Sequence, residues 1–306
     1  MKRIVLMIIL WTLVETVLAC DVCGGGSSSA YNGYIPRFGR SQWTLGYEHR
    51  SLKDASFRNE TVDFQFTQSD LGWRFFSKRN LYFNATLPIK SLQVFRDKEV
   101  NSYKGLGDLR LAIHYAWKPK AWEGVWKPLA MIGIAWKSAT GKYMVRDFTK
   151  QMMPLYLQNG TGANALQWMG YGQVANEKMG LWFNGWSQMS GVNEMQEQWG
   201  RRNYFQAGFF AHTQYFSFLK RSNQIWVNFS WLAENSQGLK SYQQWIADTQ
   251  SKTQSFVTQL DWYFGDWVLT TYLGQNVMSV SETKIPISKM RMGINLVFVI
   301  PDRASE

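Results

Sequence analysis

The chain has 306 residues, 16% of them aromatic (16 Trp, 14 Tyr and 19 Phe), and a formal net charge of +11. A large soluble core would need more aliphatic content than this mildly polar chain supplies, whereas a barrel that divides its side chains between lipid and a wet lumen needs aromatic belts at both interfaces. Past the amino-terminal leader no segment reaches the 18 apolar residues of a transmembrane helix, so a membrane crossing must use strands.

Residues 1–19 read as a cleaved signal peptide: Lys2 and Arg3, an apolar run from Ile4 to Leu13, then Val17-Leu18-Ala19 before Cys20. An exported chain meets no nucleic acid, so the basic balance points to anionic lipid or an anionic solute. Residues 20–40 are a periplasmic segment containing the two cysteines and the tether Gly24-Gly25-Gly26-Ser27-Ser28-Ser29. Cys20 and Cys23 fit three chemistries. Cys20 is lipidated after lipoprotein-type cleavage, the pair forms a disulfide in an oxidising compartment, or the two thiolates make an incomplete copper-type site.

From 41 to 300 the chain alternates. Twelve strands are expected near 41–50, 62–76, 80–90, 106–118, 127–138, 163–175, 178–190, 203–216, 222–235, 253–265, 266–276 and 288–300. In the fourth, Leu109, Leu111, Ile113, Tyr115 and Trp117 share the outer face, while Asp108, Arg110, Ala112, His114 and Ala116 share the other. Leu81 to Ile89, Ile225 to Trp231 and Met290 to Phe298 repeat the pattern. Segments of roughly ten residues suit a tilted membrane strand. Connections alternate between short ones and longer ones at 51–61, 91–105, 139–162, 191–202, 236–252 and 277–287. The expected fold is all-β: an antiparallel up-and-down transmembrane barrel of about twelve strands, with short periplasmic turns, long extracellular loops and a tail at 301–306. Four places break the pattern. Trp226 falls on the polar face, 127–138 and 178–190 are apolar on both faces, and 62–75 changes parity between Phe66 and Leu71, as a bulge or a projecting strand would.

The same parity turns Glu48, Arg74, Asp108, Arg110, His114, Asp261 and Arg291 inward as lumen lining, either along a conduit or paired across a plugged bore. His49 and His114 are read as polar strand lining. With His212 they are the only histidines, none beside a nucleophile it could activate, so no enzyme and no cofactor are expected. In the 139–162 loop, Lys137, Lys142, Arg146 and Lys150 against Asp147 either steer anions to the mouth or meet lipopolysaccharide phosphates. Met144, Met152 and Met153 are adaptable filler or a copper-type cluster.

Gly105-Leu106-Gly107-Asp108-Leu109, Leu87-Pro88, Ala139-Thr140-Gly141-Lys142 and Leu157-Gln158-Asn159-Gly160-Thr161-Gly162, in that spacing, resemble the outer-membrane transporter family linked to the meta-cleavage pathway of phenol degradation. The start at Cys20-Asp21-Val22-Cys23-Gly24 resembles a subgroup whose barrels begin with a cysteine-containing segment. The resemblance makes Gly105, Gly107, Asp108, Gly160 and Gly162 motif residues and implies passage of small organic, including aromatic, molecules across the bacterial outer membrane. Arg291 to Phe298 resembles the carboxy-terminal signal read by the barrel assembly machinery. The expected function is a passive channel or transporter whose partners are outer-membrane lipid, lipopolysaccharide, the assembly machinery and a small solute. The alternative is a structural or surface barrel whose cysteines tether it or link it to a metal or redox partner.

Overall fold

The computed structural model describes residues 40–57, 60–77, 80–96, 99–119, 124–212, 223–246, 249–280 and 290–300. The expected signal peptide, the segment with Cys20 and Cys23, and the tail lie outside the described residues. The strands β1 (Gln42–Phe57), β2 (Glu60–Ser77) and β3 (Leu81–Arg96) are long, and β4 (Glu99–Leu106) with β5 (Arg110–Trp117) forms one interrupted strand beside β3. Next come β6 (Lys127–Lys137), β7 (Ala165–Ala175), β8 (Met179–Ser190), the short β9 (Glu197–Trp199), β10 (Arg202–His212) and β11 (Asn223–Ser236). The short β12 (Leu239–Ser241) and β13 (Gln244–Trp245) precede β14 (Ser251–Phe264), β15 (Trp267–Val280) and β16 (Met290–Val299).

These elements make a closed antiparallel barrel of 12 strands, with β4 and β5 as one. β16 closes it on β1 from Gln42↔Val299 to Ser51↔Met290, so the wall is continuous around the barrel, and beyond that level β4 pairs with β3 alone and the upper part of β1 with β2 alone. β9, β12 and β13 pair as a separate sheet at the long-loop end. Tight turns bound the other end. Asn80 takes a positive φ, the Asn176 side chain caps the amides of Lys178 and Met179 at 2.8 Å each, and Gly265 takes φ 62°.

The outward face follows the alternation of the sequence. At the short-turn end Trp43, Trp73, Phe75 and Phe83 form a chain of ring contacts 6.0 to 6.4 Å apart, and Trp267 meets Phe298 at 4.8 Å. Trp136, Trp168, Phe205 and Trp231 stand nearer the other end, with Ile132, Leu181, Phe209, Phe229 and Leu260 between. Strands of 11 or 12 residues at β6, β7, β8 and β10 suffice for a tilted crossing.

Two expected loops are ladder instead. Residues 51–57 and 60–61 extend the β1–β2 pairing, and residues 91–96 and 99–105 extend the β3–β4 pairing, so this side of the wall rises beyond the rest. The parity change in β2 is not a bulge in that strand, because its register with β3 is unbroken from Asp63↔Phe95 to Ser77↔Leu81. Val62 and Phe64 face inward like Asp70 and Gly72. They are apolar because something packs against them there.

Candidate functional site: the barrel lumen

At the short-turn end the lumen holds a layer of apolar side chains. Tyr82, Ala116, Trp182, Phe210, Trp226 and Val299 belong to one contiguous cluster whose buried members are 8% exposed or less. Together with the partly buried Phe76, that cluster draws on every barrel strand except β1. Trp226 makes edge contact with Phe210 at 5.6 Å and tilts against His212 at 5.0 Å. This layer accounts for two of the sequence anomalies. The apolar residues on the polar face of β6, β8 and β11 (Leu129, Met131, Trp182, Trp226) are its members.

Above the layer the lining is polar and mostly paired. Glu48 is ion-paired to Arg50 and accepts from the Tyr272 hydroxyl. Asp261 accepts from Gln259 at 2.9 Å and from Thr270 at 2.6 Å. Arg74 donates to Asn84 at 2.9 Å and lies over the Tyr82 ring at 5.5 Å, which sets it on top of the apolar layer. Arg110 donates to Gln167 at 2.9 Å. Trp186 stacks on Tyr204 at 5.4 Å. A central cavity with about 770 Å³ of empty space is lined from seven strands, β1 to β8 excluding β4, and among its lining side chains are Arg74, Arg110 and His114. A second, of about 490 Å³, lies against Glu48, Arg50, Gln68 and Lys90 and is bounded by Leu157, Gln158 and Asn159.

Those last three residues belong to the long connection after β6, which is anchored at the interruption between β4 and β5. Three residues, Gly107 to Leu109, stand there opposite two, Leu87 and Pro88, so one extra residue bulges from the ladder. Pro88 has no N–H to offer its neighbour, and its carbonyl accepts from Gly107 at 2.8 Å. The bulge holds Asp108, 2% exposed, on a cluster of donors. Its carboxylate accepts from Gly141 N at 3.0 Å, Thr161 N at 3.1 Å and Thr161 Oγ1 at 2.8 Å, and it pairs with Lys137 at 3.0 Å. Gly141 and Gly160 cross so closely that a Cβ on Gly160 would sit 2.4 Å from the Gly141 carbonyl group.

From this anchor the connection spans the mouth. Met153 and Leu157 pack with Leu52, Val62, Phe64, Leu92 and Val94 on the raised wall, while Leu155 packs with Trp199 and Leu239 of the mouth sheet. Tyr143 hydrogen-bonds the Glu194 carboxylate, which holds its phenol above the ordinary tyrosine range.

The structure therefore distributes the sequence-predicted residues over five places. Arg74, Arg110 and His114 meet at the central cavity. Glu48 and Asp261 lie inward in separate hydrogen-bonded groups. Arg291, also inward, packs across Gly274. Asp108, with Gly105, Gly107, Gly160 and Gly162, belongs to the loop anchor, where a Cβ on Gly105 would meet Asn159 and one on Gly162 would meet Tyr143. His49 carries the outward parity of Trp43, Leu45 and Tyr47 rather than the inward one. Arg50, Asp70 and Lys90 were missed, although they lie inside the expected strands 41–50, 62–76 and 80–90, where the same alternation places them inward. Gln42 and Trp186 gave no signal beyond their parity.

The fold has a close counterpart. A crystal structure of an outer membrane channel from Pseudomonas putida F1 superposes with a TM-score of 0.65 at 14% identity, covering 88% of this chain and 100% of that one. The β domain of the Bordetella autotransporter BrkA (TM-score 0.46, 9% identity, 86% of this chain and 100% of that one) is more distant. So is the transport unit of the autotransporter AIDA-I from Escherichia coli (0.48, 10%, 90% and 94%). No family model matches the chain, and no curated protein does. At these identities the likeness is one of architecture.

Proposed function

We propose that the chain is an outer-membrane channel for passive passage of small organic solutes, with a polar central chamber between two closures. The observation that carries this reading is the central cavity itself, about 770 Å³ of empty space counted with the solvent open to it, where Arg74, Arg110, His114 and Asn184 line the bore together with Met131, Met169 and Trp186. A barrel that served only as a wall has no need of it. The outer closure is the connection across the mouth, and the inner one is the apolar layer. The outer membrane channel among the similar structures supports the setting, as does the apolar outer face with aromatics at both ends. In this reading lipopolysaccharide meets the basic long-loop end, and the assembly machinery reads β16.

Swelling of proteoliposomes in iso-osmotic small solutes tests the channel. Uptake above protein-free vesicles is the expected result, and vesicles as tight as the controls exclude it. One observation favours a second reading, a non-transporting surface barrel: the inner layer crosses the whole bore with buried side chains. Tight vesicles are its expected outcome.

A further inference from the structure

We propose that the central cavity is a binding site for small organic carboxylates, an acidic head on an apolar body. The proposal takes its biological setting from the channel reading and its chemistry from the cavity alone.

The lining is asymmetric in charge. Arg74 and Arg110 contribute two guanidinium groups, and no carboxylate is among the lining residues. Other lumen carboxylates are engaged elsewhere: Glu48 by Arg50 and Tyr272, Asp261 by Gln259 and Thr270, Asp108 by Lys137 and the loop amides, and Asp70 by Gln68 at 2.9 Å, while Glu234 on the inward face of β11 lies within electrostatic reach of Arg291 and Tyr204. The cavity therefore repels a cation and attracts an anion.

The lining also has hydrogen-bonding groups left over. Gln42 Nε2, His114 Nε2 and Trp186 Nε1 line it, and each is buried with no hydrogen-bond partner among the described residues. Gln42 is 4% exposed. Buried donors are seldom left unmet, and three around one cavity, two of them obligate N–H donors, call for a ligand rich in acceptors. An ionised carboxylate accepts only, at about four lone-pair sites, and it matches the fork of an arginine. A sugar hydroxyl brings as many protons as lone pairs and suits such a wall less well.

The remaining wall selects the body of the ligand. Met131, Met169 and the Trp186 ring present apolar, polarisable surface, and Trp186 is held in place by its stack on Tyr204. Inorganic anions make no use of that surface.

Three probes with one ring and different charge decide the matter: benzoate, benzyl alcohol and benzylamine, titrated calorimetrically into the full-length protein in detergent. Benzoate is expected to bind at least about tenfold more tightly than benzyl alcohol, as one charge-assisted hydrogen bond implies, and benzylamine not at all. Acetate, which lacks the body, is expected to bind more weakly than benzoate. Gln42→Glu puts a like charge into the wall with almost no change of shape, and Arg110→Met removes a cation. Each is expected to weaken benzoate about tenfold or more while the circular dichroism of the barrel is unchanged. Benzoate binding no tighter than benzyl alcohol, or unaltered in both folded variants, overturns the proposal and leaves water as the occupant. Swelling separates the two readings. Permeable vesicles without benzoate binding sink the site and keep the channel, and tight vesicles with specific benzoate binding do the reverse.

Discussion

Asp108 ties together segments that lie far apart in the chain. Three stretches far apart in sequence converge on its carboxylate: the β4–β5 bulge, the turn at 139–142 and the turn at 160–162. Replacing it with alanine leaves Lys137, a side chain only 18% exposed, without its partner and strips acceptors from two loop amides. Breaking a buried pair in this way costs about 3–5 kcal/mol. The expected outcome for Asp108→Ala is a folded barrel whose connection after β6 comes loose, read as faster amide exchange at Gly141 and Thr161. Asp108→Asn keeps an acceptor for one amide and is expected to fall between the two. Unchanged exchange at both amides in Asp108→Ala would show that the loop is held by its apolar contacts instead. Gly160→Ala tests the same anchor by shape, since its Cβ has only the Gly141 backbone to displace. It should loosen the loop without altering any charge.

At the scale of elements, the places where the alternation fails are the informative ones. Clean period-two strands announced the wall, because lipid on one side and polar lining on the other impose opposite demands on successive residues. β6, β8 and β11 broke the rule where their inward residues form the apolar layer, and β2 broke it where the long connection covers Val62 and Phe64. A single sequence shows such residues as misplaced but not what they pack against, since their partners lie on strands distant in the chain. Segments 51–61 and 91–105 were read as loops for a related reason: Leu52, Leu92 and Val94 on their inward side are apolar and pack with the connection, so the contrast between faces fades there. The loop anchor was legible as glycine-rich motifs, while the donors lining the cavity were not, because parity gives direction and says nothing of pairing. The layer itself makes a prediction. Phe210→Ala and Trp226→Ala each remove a large buried ring, and each is expected to lower stability by about 3–5 kcal/mol in denaturant titrations of the folded protein. Losses well under 1 kcal/mol would mean that the layer is loosely packed and the bore already wet there.

For the whole molecule, the two closures lie in series along one bore, which has a definite kinetic consequence. In the proposed channel, a solute entering from the long-loop end meets the connection first, then the chamber, then the apolar layer. The layer resists ions and polar solutes because its side chains exclude water. Removing either barrier alone leaves the other in place, so Asp108→Ala alone and Phe210→Ala with Trp226→Ala alone are each expected to raise ion conductance in planar bilayers only modestly. The three substitutions combined are expected to raise it by more than the two separate increments added together. If Asp108→Ala by itself reaches the conductance of the combined variant, the layer is no barrier and the mouth alone gates the bore. If the layer variant does so, the connection only decorates the rim. Supra-additive conductance, in contrast, requires that each closure block the path by itself, as two opposed gates around one binding chamber would.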